Sequence, residues 1–238
     1  MNKNQKHINK LVKILIGKGI RYFNIGQYEK AVEKFSKAIE LNPDNANTYK
    51  NRGDVYFITE PQKAIIDCTK AIELKPNYIS AYELRAMTYC SLLYNEQNKT
   101  ILDYTSILSD YATILKINPK YYKAYQYRGD VYRKFQQYDL SIKDYTKAIE
   151  LKPDEYRLYI SRGYDYFQIQ QYDNAIEDFK IATTSNNYYE KAECYTALAK
   201  IYDILKDYKK ANEYYTEANK IQKSYHINKV QLDLSNRK

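Results

Sequence analysis

The sequence predicts an all-α solenoid of antiparallel helix pairs, and three observations carry that expectation. The segments AVEKFSKAIELNPDN (31–45), AIIDCTKAIELKPNY (64–78), SIKDYTKAIELKPDE (141–155) and AIEDFKIATTSNNYY (175–189) are variants of one theme. A second theme precedes each copy or its neighbour: YKNRGDVYF (49–57), YELRAMTYC (82–90), YQYRGDVYR (125–133) and YISRGYDYF (159–167). Pro43, Pro76, Pro119 and Pro153 then stand 33, 43 and 34 residues apart, a period that holds two helices and their turns. Finally, 6 Gly and 5 Pro in 238 residues are too few for a loop-rich β architecture. A chain of this length can bury a sizeable core, and 30 Tyr with 6 Phe argue against disorder.

On these residues the chain resembles the tetratricopeptide repeat family. Numbering each repeat from 1 to 34, repeats begin at 12, 46, 79, 122, 156 and 192. The resemblance covers 12–225 and implies a right-handed superhelix of about six helix pairs. Positions 4, 8 and 11 share a face of the first helix, and 20, 24 and 27 share a face of the second. Small residues at 8, 20 and 27 let backbones approach, while aromatics at 4, 11, 17 and 24 fill the space beside them. Nineteen of the 30 tyrosines fall on those four aromatic positions, so the Tyr richness reads as packing.

The elements follow in order. Repeat 1 (12–45) places Gly19 and Tyr22 on its first helix and Ala31 and Ala38 on its second. Repeat 2 (46–78) offers Gly53, Tyr56, Ala64 and Ala71, with Cys68 at the buried position 24. It lacks one residue between its helices, where Pro61 can start the second helix because its missing N–H would be unpaired there. Repeat 3 (79–121) carries Ala86, Tyr89, Ile107 and Ile114, with nine extra residues around 92–100 that predict a longer first helix and a protruding polar turn. Repeat 4 (122–155) has Gly129, Tyr132, Ser141 and Ala148; repeat 5 (156–189) has Gly163, Tyr166, Ala175 and Ala182. Repeat 6 (192–225), preceded by two added residues, has Ala199, Tyr202, Ala211 and Ala218. Its second helix, with Asn212, Glu213, Glu217 and Lys220, reads as a solubilising cap. Residues 1–11 are expected as a basic tail and 226–238 as a polar one.

The net charge of +9 is concentrated at the ends. Residues 1–21 hold Lys3, Lys6, Lys10, Lys13, Lys18 and Arg21 without an acid, and residues 218–238 net to +4, so the body between is nearly neutral at −1. Nucleic acid is therefore a disfavoured partner for the repeats. An alternative role, contacting nucleic acid or a phosphorelay partner, would use these termini. No apolar run is long enough to span a membrane. The run Leu11–Ile16 is broken by Lys13 and lacks a small-residue cleavage site, so cytoplasmic residence is expected. Three Cys without paired spacing and two His at opposite ends supply no metal, cofactor or catalytic constellation, and a non-enzyme is expected.

Two motifs need a structural reading. Arg-Gly-Asp occurs at 52–54 and 128–130, but both copies fall inside a first helix with the glycine at the packing position. Position 7 is Arg in repeats 2 to 5 (Arg52, Arg85, Arg128, Arg162) and position 23 is Asp in the same four (Asp67, Asp110, Asp144, Asp178). Their joint occurrence predicts an Arg–Asp pair that braces the packing.

The resemblance also implies a concave groove lined by first-helix positions 2, 5, 6, 9, 12 and 13, to which a peptide or partner surface would bind. Its candidates are Lys50, Asn51, Asp54, Glu83, Gln126, Tyr127, Asp130, Arg133, Lys134, Arg157, Ser161 and Tyr164. The carboxylate clamp that some family members use for acidic chaperone tails does not fit. Asp54, Leu84 and Tyr127 stand where Asn, Asn and Arg would be needed, so chaperone tails are a disfavoured partner. The expected molecule is a monomeric scaffold or adaptor whose partner is another protein.

Overall fold

The structure, a computed structural model, describes residues 3–94 and 104–235. Every regular element among them is an α-helix. They form six consecutive pairs: α1 (Lys3–Asn24) with α2 (Tyr28–Leu41), α3 (Ala46–Thr59) with α4 (Pro61–Leu74), and α5 (Ile79–Tyr94) with α6 (Tyr104–Ile117). The series continues with α7 (Tyr122–Lys134) and α8 (Tyr138–Leu151), α9 (Tyr156–Gln168) and α10 (Tyr172–Ala182), and α11 (Tyr188–Ile204) and α12 (Tyr208–Ser235). The chain is an all-α repeat protein with two compact units, 1–124 and 125–238.

Within the first unit, α1 to α6 pack each on the next, and α3 also touches α5. Its core contains Phe35, Val55 and a run of alanines (Ala31, Ala38, Ala64, Ala71, Ala81), all at or near zero exposure. In the second unit, Phe179, Leu198, Ile201 and Cys194 centre a larger cluster, against which Tyr164, Tyr166, Tyr195, Tyr202 and Tyr214 pack. Buried alanines bring helix axes close, and the rings fill the remaining space, so within each unit one repeat's apolar face is covered by the next.

The helix ends have local causes. Asn45 caps α3, its Oδ1 accepting from the Asn47 and Thr48 amides, and Asn187 caps α11 through the Tyr189 and Glu190 amides. Pro61 opens α4, as its position in the sequence predicts. The turn inside a repeat places position 15 in the left-handed region: Gly26 (φ 74°), Gln136 (58°), Gln170 (62°) and Lys206 (61°). The next amide then bonds back five residues, as Gln137 N–H does to Tyr132 O, closing the first helix with a Schellman turn. Repeat 2 has deleted one residue from this turn, so α4 follows α3 after Glu60 alone.

Three features depart from the simplest repeat. α5, at 16 residues, is longer than α7 or α9, as predicted. The polar turn expected at 92–100 falls largely outside the described residues. The segments expected as tails are continuous with the outer helices, since α1 starts at Lys3 and α12 runs to Ser235.

Candidate functional site

The predicted Arg–Asp braces are present in all four inner repeats. Arg52 donates to Asp67 from Nε and Nη2 at 2.8 Å each; Arg85 reaches Asp110 at 2.9 and 2.6 Å. Arg128 reaches Asp144 at 2.7 Å twice, and Arg162 reaches Asp178 at 2.9 and 2.7 Å. Burial pushes the Asp110 and Asp178 carboxyls up, against which the arginine forks work. Three of the arginines also donate to a hydroxyl on the preceding repeat's second helix: Ser36, Thr69 and Thr146, each at 2.9 Å.

These arginines lie between the tyrosines of positions 4 and 11. Arg162 sits 5.9 Å from the Tyr159 ring centre and 5.7 Å from that of Tyr166; Arg52 and Arg128 repeat the arrangement. In repeat 6, where position 7 is Leu198 and position 23 is Tyr214, the Tyr214 ring fills the equivalent space. It stacks on Tyr202 at 5.5 Å and on Tyr195 at 6.0 Å. The tyrosine pattern thus encodes a slot for a flat side chain as well as a core.

With positions 7 and 23 used structurally, the groove positions can be judged on what remains. In the first unit, Lys50 is bound to Asp54 at 2.9 Å, and Glu83 accepts from the Tyr121 hydroxyl at 2.9 Å. Asn51 is half-buried beside them on α3. Burial raises the Asp54 pKa, with Lys50 opposing. Both Arg-Gly-Asp motifs are consumed in this way, the first by Asp67 and Lys50, the second by Asp144, Tyr145 and Arg133.

In the second unit, Asp130 accepts from the Tyr145 hydroxyl and from Arg133 Nη2 at 3.1 Å. Arg133 also donates to the Ser161 carbonyl at 3.4 Å and lies 3.9 Å from Asp165. Asp165 itself occupies position 10, where Val55, Thr88, Val131 and Ile201 are buried, and its side chain has zero exposure. Its Oδ2 pairs with the Ser141 hydroxyl, while Oδ1 has no hydrogen-bond partner. Ser141, with Ile107 one of the two residues that replace alanine at position 20, is the polar one, so two polar departures from the repeat meet in one contact. Burial, reinforced by Asp130, pushes the Asp165 carboxyl up to about 6, against the pull of Ser141 and Arg133. Ser141 Oγ is also 2.9 Å from the Gly129 carbonyl, and one hydroxyl proton cannot serve both acceptors. Protonation of Asp165 supplies the second.

The remaining groove candidates divide. Gln126 and Tyr127 are half-buried on α7, and Lys134 is exposed in its last turn. Arg157 is exposed but lies 3.3 Å from Glu190, a residue held by Ser185 and Asn187 at the start of α11. Tyr164 packs edge-on against Phe179 at 5.1 Å. Its pKa is raised, first by burial and then by Glu193, to which its hydroxyl is hydrogen-bonded.

Tyr164 also lines a concavity of about 490 Å³ with Tyr188, Tyr189, Glu193, Thr196 and Lys200, closed at one side by Ile221 and Gln222 of α12. Glu193, Thr196, Ala197 and Lys200 are positions 2, 5, 6 and 9 of repeat 6, groove positions that the sequence reading confined to repeats 2 to 5. The repeat register contained that signal. Tyr188 and Tyr189, both exposed, enter because the residues added before repeat 6 let α11 begin a turn early on Asn187.

Three family models match parts of the chain: one described as TPR repeat over residues 19–58, and two described as tetratricopeptide repeat over 122–155 and 192–225. The last two coincide with repeats 4 and 6. No curated protein matches. Among solved structures, a crystal structure of a MamA protein is 24% identical with a TM-score of 0.64, over 74% of this chain and 92% of that one. MamA from Desulfovibrio magneticus RS-1 is 18% identical with a TM-score of 0.63, over 74% and 97%. A Pseudomonas aeruginosa pilF structure is 14% identical with a TM-score of 0.65, over 87% and 90%. These are likenesses of fold. No helix of the described residues is long and apolar enough to cross a membrane.

Proposed function

We propose that this chain, a tetratricopeptide repeat protein, is an interaction scaffold that holds an extended peptide of a partner protein on the inner face of its last two repeats. The observation that carries this reading is the concavity lined by Tyr164, Tyr188, Tyr189, Glu193 and Lys200. Tyr188 and Tyr189, both exposed, offer large apolar contact area with few rotatable bonds, and half-buried Tyr164 forms the floor between them. Glu193 and Lys200 flank them with both signs of charge, which suits a peptide backbone with mixed side chains. The other groove candidates are largely occupied by one another: Lys50 by Asp54, Glu83 by Tyr121, Asp130 by Arg133 and Tyr145, and Arg157 by Glu190. They shape the surface without leaving an open polar site. A monomeric, cytoplasmic molecule belongs to the same proposal, and three Cys without paired spacing fit a reducing compartment.

The test is to select peptides from a random library on the full chain. Their affinities are then measured for the wild type, for a Tyr164→Ala/Tyr189→Ala variant and for an exposed control, Asn174→Ala. Loss of at least about tenfold in the tyrosine variant alone supports the reading. Equal binding by all three sinks it. A steep fall of affinity with salt would point instead to charge-driven binding by the termini.

A further inference from the structure

We propose that the pocket between the outer end of α1 and the loop preceding α3 is a binding site for a phosphoryl polyanion. Lys6, Lys10 and Lys13 stand at i, i+4 and i+7 on α1, which puts their ammonium groups on one face of the helix. They line a cavity of about 470 Å³ whose far wall is Asn42 and Asn45. None of the three lysines has an ion-pair partner among the described residues, no carboxylate lines the cavity, and residues 1–21 contain no acid. Like charges at this spacing repel, and an anion bound among them would relieve that repulsion.

The asparagines add direction. Asn42 Oδ1 accepts from the Asp44 amide at 3.3 Å, and Asn45 Oδ1 accepts from the Asn47 and Thr48 amides at 3.1 and 3.3 Å. Their acceptor ends are thus committed to backbone, leaving the NH2 ends to donate. Asn45 is also the cap of the 14-residue α3, whose dipole adds positive potential at the same place. The loop's one carboxylate, Asp44, is exposed outside the lining and acts on Lys70. With Asn9 and Val12 completing the lining, the site holds three ammonium groups and no carboxylate.

This chain reads its buried carboxylates Asp67, Asp110, Asp144 and Asp178 with arginine forks. The pocket instead clusters three lysines, point charges with rotatable donors whose summed charge suits a multiply charged anion such as a polyphosphate, where several oxygens take separate ammonium donors. A phosphoryl group could reach it from a soluble polyphosphorylated molecule or from a lipid headgroup.

Tripolyphosphate titrated into the full-length protein, followed by calorimetry, tests the site. Saturable one-site binding is expected. Lys6→Gln/Lys10→Gln/Lys13→Gln should weaken it by at least about tenfold, whereas the charge-matched Lys143→Gln/Lys180→Gln/Lys209→Gln should change it by less than about twofold. Asn45→Asp keeps the cap, because Asp is an equally good N-cap residue, yet replaces a donor with a carboxylate; it should match the triple variant with an unchanged urea midpoint. Phosphatidylglycerol vesicles, with phosphatidylcholine vesicles as the reference, separate the sources. Retention competed by tripolyphosphate assigns the headgroup, and no retention assigns a soluble phosphate. The proposal is overturned by absent or unsaturable tripolyphosphate binding, by equal losses in the two triple variants, by wild-type affinity in Asn45→Asp, or by vesicle retention that tripolyphosphate does not displace.

Discussion

Arg162 closes a fork on Asp178, Nε to Oδ2 at 2.9 Å and Nη2 to Oδ1 at 2.7 Å, with the carboxylate almost wholly buried. The pair joins the two helices of repeat 5, and a third bond to Thr146 ties it to repeat 4. Removing Arg162 would strand an ionised carboxylate in a dry site. Arg162→Met should therefore cost about 3–5 kcal/mol, while Arg162→Met/Asp178→Leu should lie within about 2 kcal/mol of the wild type. Urea unfolding of the two variants at pH 8 checks this, and equal losses in both would show that the charges do not interact as a unit.

Glycines at position 8 differ in what they face. A Cβ on Gly19 would stand 2.6 Å from the buried Phe35 ring, whereas on Gly53 it would meet Cys68 and Leu84 at 3.4 Å. Gly19→Ala should destabilise by about 1–3 kcal/mol. Gly53→Ala should stabilise by up to about 1 kcal/mol, because alanine favours the helix and fits the space that Cys68 leaves. Thermal melts of the two variants, compared with the wild type, should move in opposite directions.

Asp165 makes stability depend on pH in a defined window. Its carboxyl sits at about 6 in the folded chain against the usual 3.8, so the folded state binds the extra proton between these values. The group's favourable contribution is complete below about pH 4 and is lost as pH rises through 6, an effect of roughly 3 kcal/mol at most. Asp165→Asn should be more stable than the wild type at pH 8 by about 1–2 kcal/mol. Its stability should also fall less steeply between pH 4 and 7. Unfolding free energies measured across that range test both statements, and parallel profiles would remove Asp165 as the source.

Cysteine chemistry should follow burial. Cys68 and Cys194 are fully buried, and burial pushes both thiols up to about 12. Cys90 is half-buried. A thiol reagent at pH 8 should modify Cys90 in the native protein and the other two only after unfolding, since the thiolate is the reacting form. Mass mapping of the labelled peptides reads the order directly.

The repeat pattern was legible because each helix pair must bury the same face in the same way, so selection for packing leaves a period in the chain. That period located Gly19, Gly53, Gly129 and Gly163 against ring or thiol side chains, and the co-occurrence of Arg and Asp at positions 7 and 23 located four braces. The register also contained the groove positions of repeat 6. Asp165 was not legible: its partner Ser141 is 24 residues away, and nothing in either local pattern refers to the other.

By itself, the sequence determined the helix pairs, their order, the Pro61 helix start and the charge at the ends, since these depend on local spacing and residue type. Beyond the four braces, tertiary structure decided which polar side chains distant in the chain satisfy one another. Glu83 and Arg157 read from sequence as groove-facing charges, but their pairing with Tyr121 and Glu190 depends on distances between side chains that a period does not encode. The same holds for the two cavities. Tyr188 and Tyr189 enter one because α11 starts early, and Asn42 and Asn45 meet Lys6, Lys10 and Lys13 in the other because the loop before α3 folds back onto α1. A repeat specifies how each unit packs on the next; the surface left over is decided by where the packed units bring distant side chains together.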